Sequence, residues 1–188
     1  MPDVPFSCSC GGVTGTLAGI SPTSGSHAQC HCDDCRRAIV WLGNADPGRD
    51  GVSYFQTTPD RVTFTKGQDS LAAFTWKSNK LLRWYAPCCN TPLFNTMSTP
   101  KISTASLLTT NANSSTLFGP VKTHGFVAKP NGKRGHVGLG RLIWAMLKRT
   151  TRARLTGTWR KTPFFRADGT PAAPVQALTH KDRAKARL

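Results

Sequence analysis

Seven cysteines grouped in three short segments are the feature that most constrains how this chain can fold. Cys30, Cys32 and Cys35 lie within one run of six residues, a spacing suited to binding a single soft divalent metal ion. Zinc sites in proteins are usually tetrahedral, so three thiolates leave a fourth position for water, a substrate or another side chain. We expect Asp33 and Asp34, inside this segment, to form a turn or to hydrogen-bond a ligand. The spacing therefore predicts a reactive metal site.

The other four cysteines form two close pairs, Cys8 with Cys10 and Cys88 with Cys89. Residues two apart on an extended strand point to the same side, so Cys8 and Cys10 can reach one ion. Cys88 and Cys89 would point to opposite sides of a regular strand, but a turn or bulge after Pro87 could bring both thiols round. We interpret Cys89 as a ligand. Cys88 is either a fourth ligand or a buried small hydrophobic residue.

The number of cysteines favours metal binding over disulfide bonds. Seven divides into a closed four-cysteine site and an open three-cysteine site, the usual difference between structural and catalytic zinc, whereas a disulfide framework uses an even number. Residues 1–5 have neither the basic nor the apolar segment of a secretory signal. We therefore expect two zinc ions and a cytoplasmic location, where clustered cysteines are usually ligands or catalysts.

The chain has a formal net charge of +16 that is concentrated in its second half. Residues 1–100 contain 8 Lys or Arg and 7 Asp, whereas residues 101–188 contain 17 Lys or Arg and 2 Asp. This surplus predicts attraction to nucleic acid, anionic lipid or an acidic partner, or serves solubility alone. No segment has the roughly 20 consecutive apolar residues of a membrane-spanning helix, so we expect no transmembrane segment. The oligomeric state is not predicted.

Short β-type segments dominate the first half of the chain and are separated by Gly, Pro, Asn and Asp at intervals of about ten residues. This pattern predicts a mainly β, antiparallel domain over residues 1–115. A Ser/Thr/Asn-rich segment, residues 98–116, predicts a last strand followed by a loop. The five clearest predicted strands are Val13–Leu17, Val52–Gln56, Val62–Thr65, Leu71–Trp76 and Leu81–Tyr85.

Residues 116–188 form a basic extension that we expect to pack on the β domain. One amphipathic helix is predicted there, at about residues 139–152. Its apolar stripe consists of Leu139, Leu142, Ile143, Met146 and Leu147. We expect this stripe to face the protein's own core, although a basic amphipathic helix can also dock on a partner or lie on a membrane. An extended, proline-rich tail follows, and its Phe164 and Phe165 require a hydrophobic environment.

Three motifs follow one another along the chain: Cys8-Ser-Cys10-Gly11, Cys30-His31-Cys32-Asp-Asp-Cys35-Arg36 and Pro87-Cys88-Cys89-Asn90-Thr91-Pro92-Leu93-Phe94. In this order they resemble the motifs of the glutathione-dependent formaldehyde-activating enzyme family, which includes centromere protein V. The likeness covers about residues 5–110. It implies a β-tent fold of small antiparallel sheets around a structural zinc. It also implies a second zinc that takes the sulfur of glutathione or another small thiol and helps to form or cleave a carbon–sulfur bond.

The resemblance also assigns roles to individual residues. It places Cys8, Cys10 and Cys89 on the structural zinc and Cys30, Cys32 and Cys35 on the reactive zinc. The family has a further cysteine where this chain has Ala86, so Cys88 would have to supply the fourth structural ligand. Arg36, directly after the last of these cysteines, binds a substrate carboxylate, offsets the negative charge of the site, or is a surface arginine, either plain or paired with an aspartate. We expect His31 to point away from the metal, because alternate residues of a strand face opposite sides.

Three hypotheses for function follow from the sequence. The first is a carbon–sulfur lyase or thiol-adduct enzyme that uses the open three-cysteine zinc. The second is a zinc-stabilised binding module whose basic half contacts nucleic acid or another polyanion, with aromatic side chains stacking on the bases. These aromatic residues are Trp144, Trp159, Phe164 and Phe165. The third hypothesis is a metal store or redox sensor.

Overall fold

The computed structural model describes residues 1–76 and 80–188 and is built mainly of β-strands, which confirms the predicted fold class. In this part of the chain the strands are β1 (Val4–Ser7), β2 (Thr14–Leu17), β3 (Ser26–Cys30), β4 (Val52–Thr57), β5 (Val62–Lys66), β6 (Ala72–Trp76), β7 (Leu81–Ala86), β8 (Thr91–Met97), β9 (Ala105–Leu108), β10 (Thr123–Ala128), β11 (Arg134–Val137) and β12 (Val175–Leu178). The helices are α1 (Asp33–Trp41), α2 (Leu139–Leu155) and α3 (His180–Lys185). None of the described helices is long and apolar enough to cross a membrane.

The strands form two sheets. The smaller is antiparallel and has the order β1-β2-β5, and the larger has the order β11-β10-β3-β4-β9-β8-β7-β6-β12. The larger sheet also contains two parallel pairs, β10 with β3 and β12 with β6, that the sequence does not predict. Parallel neighbours need a long connection, and here both are made by strands of the extension that return to strands of the first half. The extension therefore completes the larger sheet on both sides.

All five strands predicted from the sequence are present, with each end shifted by at most one residue. The strand predicted within residues 98–116 is β9, and three further strands follow it in the extension. Strands from both sides of residue 115 share the larger sheet. The division of the chain into two regions at that residue stays a prediction.

Two phenylalanines anchor the extension to the main hydrophobic core. Phe164 is fully buried and Phe165 is 7% exposed, so the hydrophobic environment expected for them is present. The ring centroid of Phe164 lies 5.2 Å from the rings of both Trp84 and Phe94. Aromatic pairs at this separation add to the hydrophobic effect of burial. The tail is thus held by the strands β7 and β8 that also carry a cysteine pair between them.

Helix α2 begins where it is predicted to begin and ends three residues later, at Leu155. The side that it turns towards the protein differs in part from the predicted stripe. Ile143 and Leu147 are 43% and 49% exposed, whereas Ala153, outside the stripe, is buried. The prediction that the whole stripe faces the core is therefore wrong for Ile143 and Leu147.

The rotation of α2 is explained by a polar contact on its inner side. The half-buried Arg149 guanidinium donates hydrogen bonds to Ser26 Oγ at 3.1 Å and to Gln56 Oε1 at 2.8 Å. Burial of the guanidinium lowers the pKa of Arg149. Since the inner side of the helix must include this arginine, part of the apolar stripe is turned outwards.

The last residues form the short helix α3, which packs against α1. Its first turn has a capping box, in which Thr179 and Asp182 exchange side-chain and backbone hydrogen bonds. Arg183 forms an ion pair with Asp34 at the start of α1, and Arg37 Nη1 donates to a carbonyl oxygen near the chain end. The C-terminal residues therefore support the helix that carries the third cysteine of the predicted reactive site.

Candidate metal centres

Cys8, Cys10, Cys88 and Cys89 bring their sulfur atoms within 4.8 Å of one another. The separations are 3.7 Å from Cys8 to Cys10, 4.0 Å from Cys8 to Cys88, 3.2 Å from Cys10 to Cys88 and 3.8 Å from Cys88 to Cys89. A tetrahedral zinc with Zn–S bonds of about 2.3 Å separates its sulfurs by about 3.8 Å. All four thiols are free. The geometry therefore fits one tetrahedral metal ion.

A tight turn after β1 presents the first pair of sulfurs. The Cys8 backbone N–H donates to the Val13 carbonyl at 2.9 Å, and the Val13 N–H donates to Cys8 Sγ at 3.2 Å. Gly11 lies in this turn at φ +69°, a conformation that favours glycine. A Cβ atom at Gly12 would lie only 3.0 Å from the sulfur of Cys88. The two glycines thus allow the turn and the close approach of the second cysteine pair.

The second pair lies in the turn between β7 and β8, as the prediction of a turn after Pro87 requires. Asn90 adopts the left-handed conformation at φ +54° and reverses the chain. Cys88 is exposed, so the alternative that it is a buried hydrophobic residue is wrong. Ala86 is fully buried within β7. Cys88 therefore completes the four-cysteine group in a chain that has no cysteine at the position of Ala86.

The thiols of this second pair differ in acidity. The interaction with Cys10 raises the pKa of Cys88 to about 12. Burial alone would raise the pKa of Cys89, but hydrogen bonds from Ser9 and Thr91 outweigh it and lower the pKa to about 5. The Cys89 sulfur lies 3.1 Å from Thr91 Oγ1. These hydrogen bonds favour the thiolate of Cys89, which is the form that binds a cation.

The other three cysteines meet where β3 ends and α1 begins. Cys30 is the last residue of β3, Cys32 is the N-cap of α1, and Cys35 lies in its first turn. The sulfurs of Cys30 and Cys32 are 3.3 Å apart, and all three lie within 4.8 Å of one another. The Cys35 backbone N–H donates to Cys32 Sγ at 3.3 Å. The N-terminal end of a helix carries partial positive charge, which would help to stabilise the thiolates once a cation has displaced their protons.

Helix α1 is not predicted from the sequence, although its signal is present. Cys32 occupies the N-cap position, and Asp33 and Asp34 follow in the first turn, where carboxylates are favourable. The two aspartates therefore belong to a helix and not to a loop. Asp33 pairs with Arg134 at 2.8 Å, and Asp34 pairs with Arg183. Both ion pairs join the cysteine segment to the extension.

Without a metal ion, the three thiols hold their protons. The hydrogen bond with Cys32 is the main reason that the pKa of Cys30 rises to about 11. Cys30 lowers the pKa of Cys32, but the interaction with Cys35 and burial outweigh this and raise it to about 11. The hydrogen bond with Cys30 raises the pKa of Cys35 to about 11. A cation bound here displaces these protons, so its affinity increases with pH.

A buried arginine lies behind the three-cysteine group. Arg83, in β7, is 7% exposed, and its Nη2 donates to the Asp34 carbonyl at 3.5 Å. Its positive charge favours ionised Cys35 and so opposes the rise in the pKa of that thiol. Sequence reasoning missed this residue, although an arginine within the apolar segment Leu81–Tyr85 is the signal that could have identified it. Arg83 offsets the negative charge that three thiolates would bring.

The structure shows the contacts of Arg36 and His31, the two residues beside the cysteines whose roles the sequence leaves open. Arg36 Nε donates to Asp46 Oδ1 at 2.9 Å, and this contact lowers the pKa of Asp46. The aspartate-paired role is therefore present, and binding of a substrate carboxylate stays a prediction. His31 Nδ1 donates to the Arg49 carbonyl at 3.0 Å, and its ring stacks on His124. His31 is not part of the three-cysteine group.

A cleft of about 640 Å³ lies beside the three-cysteine group. Its lining includes His31, Arg36, Arg49, Phe126 and Arg134. The last two residues come from the extension, whose strand β10 approaches the group closely. The His31 N–H donates to the Gly125 carbonyl at 2.8 Å, and a Cβ atom at Gly125 would lie 3.8 Å from Cys30 Sγ. The extension therefore forms one wall of the cleft, which the family motifs do not predict.

Comparison with known proteins places the chain in one family. It belongs to the family described as "Family of unknown function (DUF6151)", whose model matches residues 2–176. None of the curated proteins matches the chain. The crystal structure of a Rhodobacter sphaeroides protein from a structural-genomics project is similar, with a TM-score of 0.44 and 14% identity over 62% of this chain and 96% of that one. The resemblance to the formaldehyde-activating family stays a prediction.

Replacing Gly51 with alanine should weaken metal binding at the three-cysteine group. Gly51 has φ +69°, and an added Cβ atom would lie 2.6 Å from the Cys30 carbonyl oxygen and 2.8 Å from His31 Nδ1. Both contacts are impossibly short, so the end of β3 must move and carry the Cys30 sulfur with it. We expect an affinity loss of about 10- to 100-fold, as when residues that orient metal ligands are changed. Zinc competition with a chelator measures it.

Gly43→Ala is the matched control for Gly51→Ala. Gly43 also has positive φ, +80°, but an added Cβ atom would meet nothing within 4 Å. This variant should lose about 1 kcal/mol of stability through backbone strain and keep its metal affinity. Equal metal affinity in the two variants would contradict the steric argument.

Proposed function

We propose that this protein is a two-zinc enzyme that forms or cleaves the carbon–sulfur bond of thiol adducts, of the type formed by glutathione or another small thiol with an aldehyde. The proposal combines the motif resemblance to the glutathione-dependent formaldehyde-activating family with the arrangement of the two cysteine groups. The four-cysteine group would hold a structural zinc, and the three-cysteine group would hold the reactive one.

The observation that carries the proposal is the difference in ligand number between the two groups. In the described residues, four sulfurs converge at one site but three at the other, with no His, Asp or Glu completing the second group. Four sulfurs close a tetrahedral site, whereas three leave one position open, which is typical of catalytic zinc. Cys30 and Cys32 are half-buried, so this group is partly accessible from solvent. An open position on a reachable ion supports chemistry with an external thiol.

The donor set fits zinc, because thiolates are the ligands that soft and borderline divalent ions prefer. Zinc held by Cys30, Cys32 and Cys35 would supply a positive ion that lowers the pKa of a bound thiol. The net charge of such a centre is about minus one. The start of α1 and the guanidinium of Arg83 would stabilise that charge. Burial of Arg83 strengthens this effect, since charges interact more strongly away from water.

The chain's own residues would then bind and orient the adduct. When a thiol adds to an aldehyde, a carbon–sulfur bond forms, the C=O double bond becomes a single bond, and the thiol proton moves to the oxygen. The reverse reaction breaks the carbon–sulfur bond, restores the C=O double bond and returns the proton to sulfur. The cleft would hold the rest of the adduct, with Arg36 fixed by Asp46 at its wall. His31 Nδ1 donates a hydrogen bond to the Arg49 carbonyl, which fixes the ring in the lining of the cleft.

Purified, fully reduced protein should bind about two zinc ions and accelerate hemithioacetal exchange between formaldehyde and a small thiol. Elemental analysis gives the zinc content, and NMR exchange spectroscopy gives the rate with glutathione, cysteine and 2-mercaptoethanol in turn. Protein stripped of zinc by a chelator is the control and should show no acceleration. Failure to accelerate exchange with any of these thiols, at full zinc content, would contradict the proposal.

The other two hypotheses from the sequence are nucleic-acid binding and a redox sensor. For nucleic-acid binding, the burial of Phe164 and Phe165 removes two of the four aromatic side chains that were expected to stack on bases. If the three-cysteine group is a redox sensor, hydrogen peroxide should release one zinc reversibly, and dithiothreitol should restore it. An enzyme that needs this zinc would lose activity in parallel, whereas a sensor has no turnover to lose.

A further inference from the structure

Helix α2 has an apolar outer face that no described part of the protein covers. Trp144 is 64% exposed, Ile143 is 43% exposed and Leu147 is 49% exposed. Residues three and four apart share one side of a helix, so Leu147 is a neighbour of both Ile143 and Trp144 and the three side chains form one patch. Val137, two residues before the helix, is 59% exposed. We define Ile143, Trp144 and Leu147, with the cations described next, as the outer face of α2.

Positive charge lies beside this patch. Arg141 and Lys148, seven residues apart, lie along one flank of the helix, and Arg154 follows Leu147 by the same interval. All three are exposed. Between Asp69 and Asp168 the sequence contains no acidic residue. Neither α2 itself nor the strands next to it in sequence, β10 and β11, can therefore offer these cations an acidic partner. The outer face is therefore apolar at its centre, with cations along one flank and at its C-terminal end.

We propose that the outer face of α2 binds the surface of a membrane that contains anionic lipid. A helix with tryptophan and aliphatic residues on one side and lysine and arginine beside them lies in the plane of the membrane interface. The apolar side chains enter the boundary between headgroups and acyl chains, and each nearby cation contributes by attraction to anionic headgroups. This inference is independent of the proposed enzymatic activity.

Other occupants fit the outer face less well. Nucleic acid would satisfy the cations, but Ile143 and Leu147 are aliphatic and cannot stack on bases as aromatic side chains do. A symmetric dimer would place the same patch of both copies in contact and bring like charges together. The outer face of α2 has an aliphatic centre with cations beside it. It matches a surface that has an apolar layer beneath an anionic layer. An anionic bilayer has this layered chemistry.

The structure also shows how α2 can bind a surface without unfolding from the protein. Its inner side is fixed by the buried Ala153 and by the hydrogen bonds of Arg149 to Ser26 and Gln56. The outer face points away from these contacts and is already formed. Binding therefore costs little conformational entropy, which preserves more of the interaction free energy.

The test is co-sedimentation of the zinc-loaded, full-length protein with vesicles. Vesicles of phosphatidylcholine mixed with phosphatidylglycerol should bind the protein, and vesicles of phosphatidylcholine alone should bind it at least about tenfold more weakly. The Ile143→Ser/Leu147→Ser variant should lose at least about tenfold in partition coefficient. Both residues are exposed, so circular dichroism and thermal unfolding should remain as in the wild type. Leu188→Ser, at another exposed leucine, is the control and should bind normally.

A second pair of variants tests the charges. Arg141→Gln/Lys148→Gln removes two cations of the outer face and should weaken binding to the anionic vesicles about thirtyfold at low salt. Lys101→Gln/Lys181→Gln removes the same charge from exposed positions elsewhere and should have a much smaller effect. Equal losses in the two pairs would show that net charge alone governs binding and would overturn the proposal.

Fluorescence identifies the residue that meets the lipid. Emission should shift to the blue when anionic vesicles are added, because Trp144 is far more exposed than the buried Trp76 and Trp84. Trp144→Phe should lose this shift while still sedimenting with the vesicles. The proposal is overturned if no vesicle binds the protein, if DNA or RNA binds it at salt that abolishes vesicle binding, or if ultracentrifugation shows a dimer that the serine variant disrupts.

Discussion

Cys88→Ser should remove one zinc ion from the protein and strongly destabilise the β domain. Cys88 supplies one of four sulfurs that fit a closed tetrahedral site, and the site joins the turn after β1 to the turn between β7 and β8. Structural zinc contributes about 10–16 kcal/mol of binding free energy in small zinc domains, and this is folding free energy. We expect the free energy of unfolding to fall by at least about 3 kcal/mol, measured by denaturant titration beside elemental analysis.

The exposure of Cys88 makes this experiment decisive. A buried cysteine changed to serine could destabilise through packing alone, whereas an exposed substitution usually changes stability by less than about 0.5 kcal/mol. Wild type and variant should therefore have the same stability after chelation, because the lost ligand then has no metal to hold. If Cys88→Ser keeps both zinc ions and its stability, the four-cysteine site is closed by some other ligand, and our account of Ala86 is wrong.

Cys32→Ser should remove the other zinc ion and abolish thiol-adduct exchange while sparing the fold. Cys32 is the N-cap of α1, where its sulfur accepts a hydrogen bond from the Cys35 N–H. Serine is a favourable N-cap residue, so its hydroxyl keeps this bond while providing a poor zinc ligand. We expect one zinc per chain, at least about a hundredfold lower exchange rate and an almost unchanged Tm.

Cys32→Ala separates the two roles of this residue. It loses both the ligand and the cap, so it should match Cys32→Ser in zinc content and be less stable by about 1 kcal/mol. Thermal unfolding of the two variants gives this difference. Retained exchange activity in Cys32→Ser would show that the reaction does not depend on the three-cysteine group, and global unfolding would show that the group is structural.

The β-strands are well predicted because alternation of side chains and turn residues is a local property. The segments Val52–Gln56 and Leu81–Tyr85 each contain that information within a few residues, and both are strands in the structure. Parallel pairing of β12 with β6 joins positions about a hundred residues apart, and local patterns carry no information about such partners. Helix α2 shows the same limit, because its rotation depends on Arg149 reaching Ser26 and Gln56.

The cysteine groups are predictable as sets because close spacing along the chain restricts where the sulfurs can lie. Whether the Cys88 sulfur lies with those of Cys8, Cys10 and Cys89 depends on the turn geometry at Asn90. The sequence allows this turn but does not determine it. Arg83 and the wall contributed by Phe126 and Arg134 depend on the tertiary arrangement of the sheet. The part of the site that surrounds the sulfurs therefore emerges only in the folded structure.

The strand order of the larger sheet has a consequence for the protein during its synthesis. Ala73 of β6 pairs with Val175 of β12, and Ala28 of β3 pairs with Thr123 of β10. Until these late strands leave the ribosome, β6 and β3 present unpaired backbone groups, which invite pairing with other chains. The nascent polypeptide thus carries two open sheet edges for much of its translation, and these edges are where a ribosome-associated chaperone would have to act.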